Sequence, residues 1–258
     1  MLTRRTLLVG TVFMMFFPRG AIDGGDSGAS APARTGIRPS VYYISVESLP
    51  HDRGFTVAGR VPQLRHAGAS QAVINARLRD VVEEGILGSE VSVRPSSGPF
   101  AGGGEFTITP AHSLMSVDSV LVSALLPVTE SRPHGTSSPY WLSVTVEVAR
   151  PRLVRGISAV ILASGFRLLA KAARSRLAKN RCVMQWARTE VQTATAPRAT
   201  SFRQYAMLPT GLAIGFPSKP GGPPYECGSP YVIIPYSALA GVLSPAGRAL
   251  ARGATDGR

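Results

Sequence analysis

Apolar residues recur along this chain with two periods, and the change from one to the other marks out its elements. Val41, Tyr43 and the Ile44 and Val46 positions predict a first strand, and residues 55–61 predict a second, closed by Pro62. Ser70 is then placed to cap a helix over residues 71–86, ended by Gly88. In it Ile74, Leu78, Val81 and Val82 share one face while Arg77, Asp80, Glu83 and Glu84 take the other. Residues 105–109 and 116–127 read as strands, the second apolar enough (Val117, Val120, Leu121, Val122, Leu125, Leu126) to be central. Over residues 140–148 the alternation is strict, with Trp141, Ser143, Thr145 and Glu147 opposed to Leu142, Val144, Val146 and Val148, as in a half-buried antiparallel strand. Helical spacing returns over residues 166–179: Phe166, Leu169, Ala170, Ala173 and Leu177 inward, Arg167, Lys171, Arg174 and Lys179 outward.

The densest punctuation comes last. Segments 202–208 and 212–216 flank Pro209-Thr210-Gly211, in which Pro presets φ and Gly tolerates a positive one, so they predict a hairpin. A Pro/Gly loop carrying Cys227 leads to a third strand over residues 231–235, stopped by Pro235, and residues 236–243 predict a short helix capped by Ser237. The expected fold class is α+β, a twisted, largely antiparallel sheet with two main helices packed on one face. Residues 1–38 read as an export signal and flexible leader, 39–245 as the folded domain, and 246–258 as a disordered tail.

Composition adds a compartment. Arg4 and Arg5 precede an apolar run over residues 7–17, the n-region and h-region of an export signal of twin-arginine appearance. That run is shorter than the ~20 apolar residues a bilayer span needs, so no stable membrane span is expected. A hydrophobic content of 44% over 258 residues suffices for a real core. Net charge is +13, and loss of residues 1–33 would leave 25 cations against 13 anions, or +12. Such a field attracts polyanions. For an exported chain, the partners this suggests are an anionic cell-wall polymer or an envelope protein, not nucleic acid. With only three lysines among the 28 cations, an arginine-rich coding background is the competing explanation.

The order of several short pieces carries a family resemblance. They are Val61-Pro62-Gln63-Leu64 followed by Ile74-Asn75, Pro133-His134-Gly135 with Tyr140 after it, the stretch 168–177, Gly211-Leu212-Ala213-Ile214-Gly215-Phe216, Cys227-Gly228, and Val232-Ile233-Ile234-Pro235-Tyr236. Over residues 41–243 the chain resembles the RsiV C-terminal domain family. The resemblance implies an exported domain of bacterial envelopes, such as the sensor part of an anti-sigma factor or small secreted mycobacterial antigens, without a catalytic site of its own. In the anti-sigma factor the domain binds lysozyme. A domain of net charge +12 would repel that basic protein, so the sensing role does not carry over.

Candidate chemistry is sparse. Cys182 and Cys227 are the only cysteines, and an even count in an oxidising compartment predicts a disulfide, worth roughly 4 kcal/mol in the chain-entropy picture. A ligand-binding surface is expected from Arg132, His134, Gly135 and Tyr140 in the turn region, together with Arg167, Lys171 and Arg174 on the basic helix. Residues 131–189 hold eleven cations against Glu147 alone, which as function is a polyanion-binding face and otherwise a solvated flank. His51, His66 and His112 are scattered, so neither a metal site nor a cofactor is expected. Ser70 loosely mimics a nucleophile elbow but is better placed as a cap. The expected function is an exported, non-catalytic binding protein; a secreted hydrolase of cell-wall glycan or an ester is the alternative.

Overall fold

The computed structural model describes residues 40–47, 56–92, 105–108, 114–118, 120–131, 138–148, 151–183, 188–216 and 229–256. Its larger sheet holds β1 (Ser40–Glu47), β2 (Thr56–Arg65), β3 (Glu105–Ile108), β4 (Leu114–Val117), β5 (Leu121–Ser131), β6 (Ser138–Glu147) and β7 (Arg152–Leu153). The order is β1-β2-β3-β5-β6-β7, with β4 beside β3 on the same edge of β5, and only the β2–β3 pair is parallel. A second sheet is β8 (Tyr205–Leu208), β9 (Gly211–Gly215) and β10 (Tyr231–Ile234), in the order β10-β9-β8. Helices are α1 (Gln71–Ser92), α2 (Phe166–Leu177), α3 (Arg188–Ala194) and α4 (Pro245–Asp256). The fold is α+β and largely antiparallel, as the alternation predicts.

The single expected sheet is in fact two, which gives each main helix its own core. Even-numbered residues of β5 and β6 (Val122, Ala124, Leu126, Val128; Leu142, Val144, Val146) meet Ile74, Leu78 and Val82 of α1. Odd-numbered Leu125 and Trp141 meet Ala206, Leu208 and Ala213 of the small sheet. The other face of that sheet, Tyr205, Met207, Leu212, Ile214, Val232 and Ile234, packs with Leu169, Ala173 and Leu177 of α2 and Leu250 and Ala254 of α4. The tiers run α1, large sheet, small sheet, then α2 with α4. Strand β6 is thereby covered on both faces, with Trp141 only 3% and Thr145 2% exposed, whereas its alternation predicts one wet face.

Three polar devices fix these layers. The Asn75 amide on α1 donates to the Leu64 carbonyl (3.0 Å) and accepts the Leu64 N–H (2.7 Å), so two of the short pieces read in the sequence bind each other. The Gln63 amide adds a longer bond to the Asn75 carbonyl. On the opposite face, Ser143 Oγ accepts the Tyr205 N–H and donates to the Tyr205 carbonyl. Ser123 Oγ accepts the Met207 N–H at 2.8 Å and shares a proton with Thr145 at 2.7 Å. Tyr205 and Met207 are the β8 residues whose backbone groups point away from β9, so serines of the large sheet close that edge.

Several boundaries differ from the expected ones, each for a local reason. Pro62, expected to close a strand, and Pro127, the last residue of the strand expected over 116–127, both lie inside strands, β2 and β5. Strand β3 reaches only Gly59 along β2, and Pro127 falls between the stretches of β5 paired with β3 and β4, so each lies where one flank has no partner among the described residues. The strand expected over residues 116–127 is broken into β4 and β5 by Asp118, whose Oδ1 accepts the N–H groups of Val120 (2.6 Å) and Leu121 (2.8 Å). Helix α1 runs past Gly88 to Ser92 and follows a 3-10 turn, Gly68–Ser70, that absorbs Ser70, so Ser70 is not its cap. Residues 236–239 form a 3-10 turn entered from Pro235, without a side-chain cap from Ser237. The tail expected to be disordered is largely α4: Ser244 Oγ accepts the Gly247 N–H and donates to the Ala159 carbonyl, and Leu250, Ala251 and Ala254 are buried.

Candidate functional site

Of the residues singled out in the sequence, those that the structure describes fall in two separate parts of the fold. Arg132, His134 and Gly135 lie outside the described residues. Tyr140, on β6, packs with the α1-side core, whereas α2 belongs to the core beyond the small sheet. The fold therefore separates Tyr140 from the α2 cations.

On α2 itself the apolar stripe is as expected, with Phe166, Leu169, Ala170, Ala173 and Leu177 buried. Its charged face is narrower than the sequence suggests. Arg176 Nε donates to the Ile233 carbonyl at 2.8 Å, which covers the outer edge of β10, and Arg174 is half-buried with its Nε enclosed. Arg167, Leu168 and Lys171 remain exposed on the first turns, and Lys179 and Arg181 are exposed just beyond the helix. Helix α2 contains no acidic residue, and among the described residues neither Arg167 nor Lys171 is held in an ion pair. The ion pairs Arg77–Asp80 and Arg152–Glu147 involve other elements.

Past α2, Asn180 Oδ1 accepts the Cys182 N–H at 3.0 Å and so shapes the turn that carries this cysteine. Cys182 is not a free thiol; Cys227 lies outside the described residues. Ser70 sits half-buried in its 3-10 turn, and His66 is exposed with a φ of 61°. Among the described residues no three His, Cys, Asp or Glu side chains are grouped to hold a metal, and no helix is long and apolar enough to cross a membrane.

The C-terminal unit forms a concavity that the sequence reading did not anticipate. The 3-10 turn Tyr236–Leu239 and α4 border an open hollow of about 360 Å³ lined by Tyr236, Ser237, Ala240, Leu243, Ala251 and Thr255 with Arg248 and Arg252. Arg248 Nη1 donates to the Leu243 carbonyl at 2.6 Å, which fixes its position. The Tyr236 hydroxyl is buried without a hydrogen-bond partner, as is Oδ2 of nearby Asp118. Burial, and secondarily the Asp118 charge, pushes ionisation of Tyr236 far above its ordinary range, so it stays a neutral phenol. The signal for this site was present: Arg248, Ala251, Arg252 and Thr255 follow helical spacing just after Ser244-Pro245, a cap followed by a proline at the first helical position.

No protein-family model matches the chain, and no curated protein matches it. Solved structures do. A DUF3298 family member from Bacteroides fragilis has a TM-score of 0.52 at 11% identity, over 86% of this chain and 99% of its own. A DUF3298 family protein from Pseudomonas aeruginosa PAO1, also 11% identical, covers 82% of this chain and 97% of its own with a TM-score of 0.48. At such identity the first likeness shows a shared fold and nothing finer: the chain has the architecture seen in that DUF3298 protein.

Proposed function

We propose that this chain is an exported, non-catalytic binding protein of the bacterial envelope, of the RsiV C-terminal type, which engages an anionic cell-wall polymer through the exposed start of α2. The observation that carries the reading is the exposure of Arg167 and Lys171 one helical turn apart on a helix without acidic residues. Cations at i and i+4 present two charges to the same stretch of a polyanion. Leu168, three residues before Lys171 and 40% exposed, adds apolar contact beside it. Three further features support it: the arginine pair and apolar run at the N-terminus, the two-cysteine count, and a DUF3298-like architecture.

The test is salt-dependent retention on immobilised lipoteichoic acid and on heparin. Wild-type protein is expected to elute later than Arg167→Glu/Lys171→Glu. Each cation is worth about 1 kcal/mol near an anionic surface, so losing both weakens binding roughly 30-fold at low salt, and reversing their charge weakens it further. Retention indifferent to ionic strength, or equal for the two proteins, would sink the reading. Turnover of wall glycan or of an ester that a single Ser or His substitution abolishes would replace it with the hydrolase.

A further inference from the structure

We propose that the concavity between the 3-10 turn Tyr236–Leu239 and α4 is a binding site for a small organic anion, a carboxylate or phosphate ester bearing a short apolar body. Its volume, about 360 Å³, falls in the range of small-molecule sites. The lining divides by chemistry. Ala240, Leu243 and Ala251 offer an apolar wall, and the two alanines leave the space that longer side chains would fill. Arg248 and Arg252, one turn apart on α4, offer guanidinium groups, and Ser237 adds a hydroxyl; the Thr255 hydroxyl already donates to the Arg252 carbonyl. The lining holds two cations and no carboxylate, which selects for an anion.

One detail marks a site already organised for a ligand. The Arg248 head is tethered to the Leu243 carbonyl, so less side-chain freedom remains to be lost on binding. The site lies on α4 and residues 236–243, apart from Arg167 and Lys171 on α2, so it stands or falls independently of polymer binding.

The experiment titrates the full chain with hexanoate, hexyl phosphate, hexanol and inorganic phosphate, followed by calorimetry or amide chemical shifts. Hexanoate or hexyl phosphate is expected to bind with a Kd of about 1 mM, in keeping with ligands of eight to eleven heavy atoms. The tighter of the two names the head group. Hexanol and inorganic phosphate, each lacking one half of the recognition, are expected to bind at least tenfold more weakly. Arg252→Gln is expected to weaken binding tenfold. Ala240→Phe, at an exposed position where a larger side chain can enter the hollow without disturbing the core, is expected to abolish it. Arg167→Glu/Lys171→Glu should leave it unchanged. Binding of hexanol as tight as hexanoate, full affinity in Ala240→Phe, or no binding of either amphiphile at 10 mM (about ten times the expected Kd) would overturn the proposal.

Discussion

Ser143 and Ser123 are small residues on which the layering of the molecule turns. Ser143 occupies a position where alternation would place a wet side chain and Ser123 lies in a strand read as central, and each meets the edge of β8. Ser143→Ala leaves the Tyr205 N–H and carbonyl buried without their partner, an expected cost of about 1–3 kcal/mol by urea denaturation. A loss below 0.5 kcal/mol, the size of an ordinary surface change, would show that the hydroxyl does not join the sheets. Asp118 works in the opposite sense. Burial raises its pKa above the ordinary 3.8, although the Leu121 and Val120 N–H groups pull it down. The native state therefore holds this proton more tightly than the unfolded chain. Its contribution to stability is fully present below pH 3.8 and is lost as pH rises through the elevated value. Asp118→Asn keeps the Oδ1 acceptor and cannot ionise. Its stability relative to wild type should rise from acid toward neutral pH, and urea midpoints that move in parallel between pH 3 and pH 7 would contradict this (the window brackets the ordinary carboxylate range).

Among the elements, α4 is the one the hydrophobic pattern least prepares for, because its apolar residues are mostly alanines. Leu250, Ala251 and Ala254 are nonetheless buried against the core that α2 and the small sheet share. Gly247 lets the helix approach closely, since a Cβ there would come within 2.2 Å of the Val160 carbonyl oxygen. If α4 is part of the fold, Leu250→Ala should cost about 2–3 kcal/mol, the low end for a nearly buried leucine. A disordered tail would give no change, so one denaturation curve separates the two descriptions. The clearer helices were legible from spacing: the buried Ile74, Leu78 and Val82 of α1 and the buried stripe of α2 are the positions that periodicity selects. Strand ends were less legible. A proline stops a strand only where both flanks are paired, and pairing is not written in the strand itself.

For the whole molecule, the likeness to the Bacteroides fragilis structure extends over 99% of that chain, so the shared architecture is not confined to one sheet or one helix pair. A bridge from Cys182 to Cys227, which the even cysteine count predicts for an exported chain, would close a loop of about 45 residues and tie the end of α2 to the segment before β10. Reduction is expected to lower global stability by up to roughly 4 kcal/mol, less any strain relieved. Thiol labelling of the denatured, unreduced protein should find no reactive sulfhydryl; two would refute the bridge. The high positive charge acts at this scale too, since it favours polyanion contact while opposing compaction through self-repulsion.

Local order along the chain was enough to determine the α+β class, the inward faces of α1 and α2, the β8–β9 hairpin, and the alternation of β6. These depend on the spacing of apolar residues within one element, which the backbone period fixes. Only tertiary structure decided that the strands divide into two sheets, that both faces of β6 are covered, that Arg176 turns toward β10, and that Arg248, Arg252 and Tyr236 line one hollow. Those outcomes depend on which elements meet. Layer contacts between residues such as Ser143 and Tyr205, 62 positions apart, leave no periodic trace in either strand.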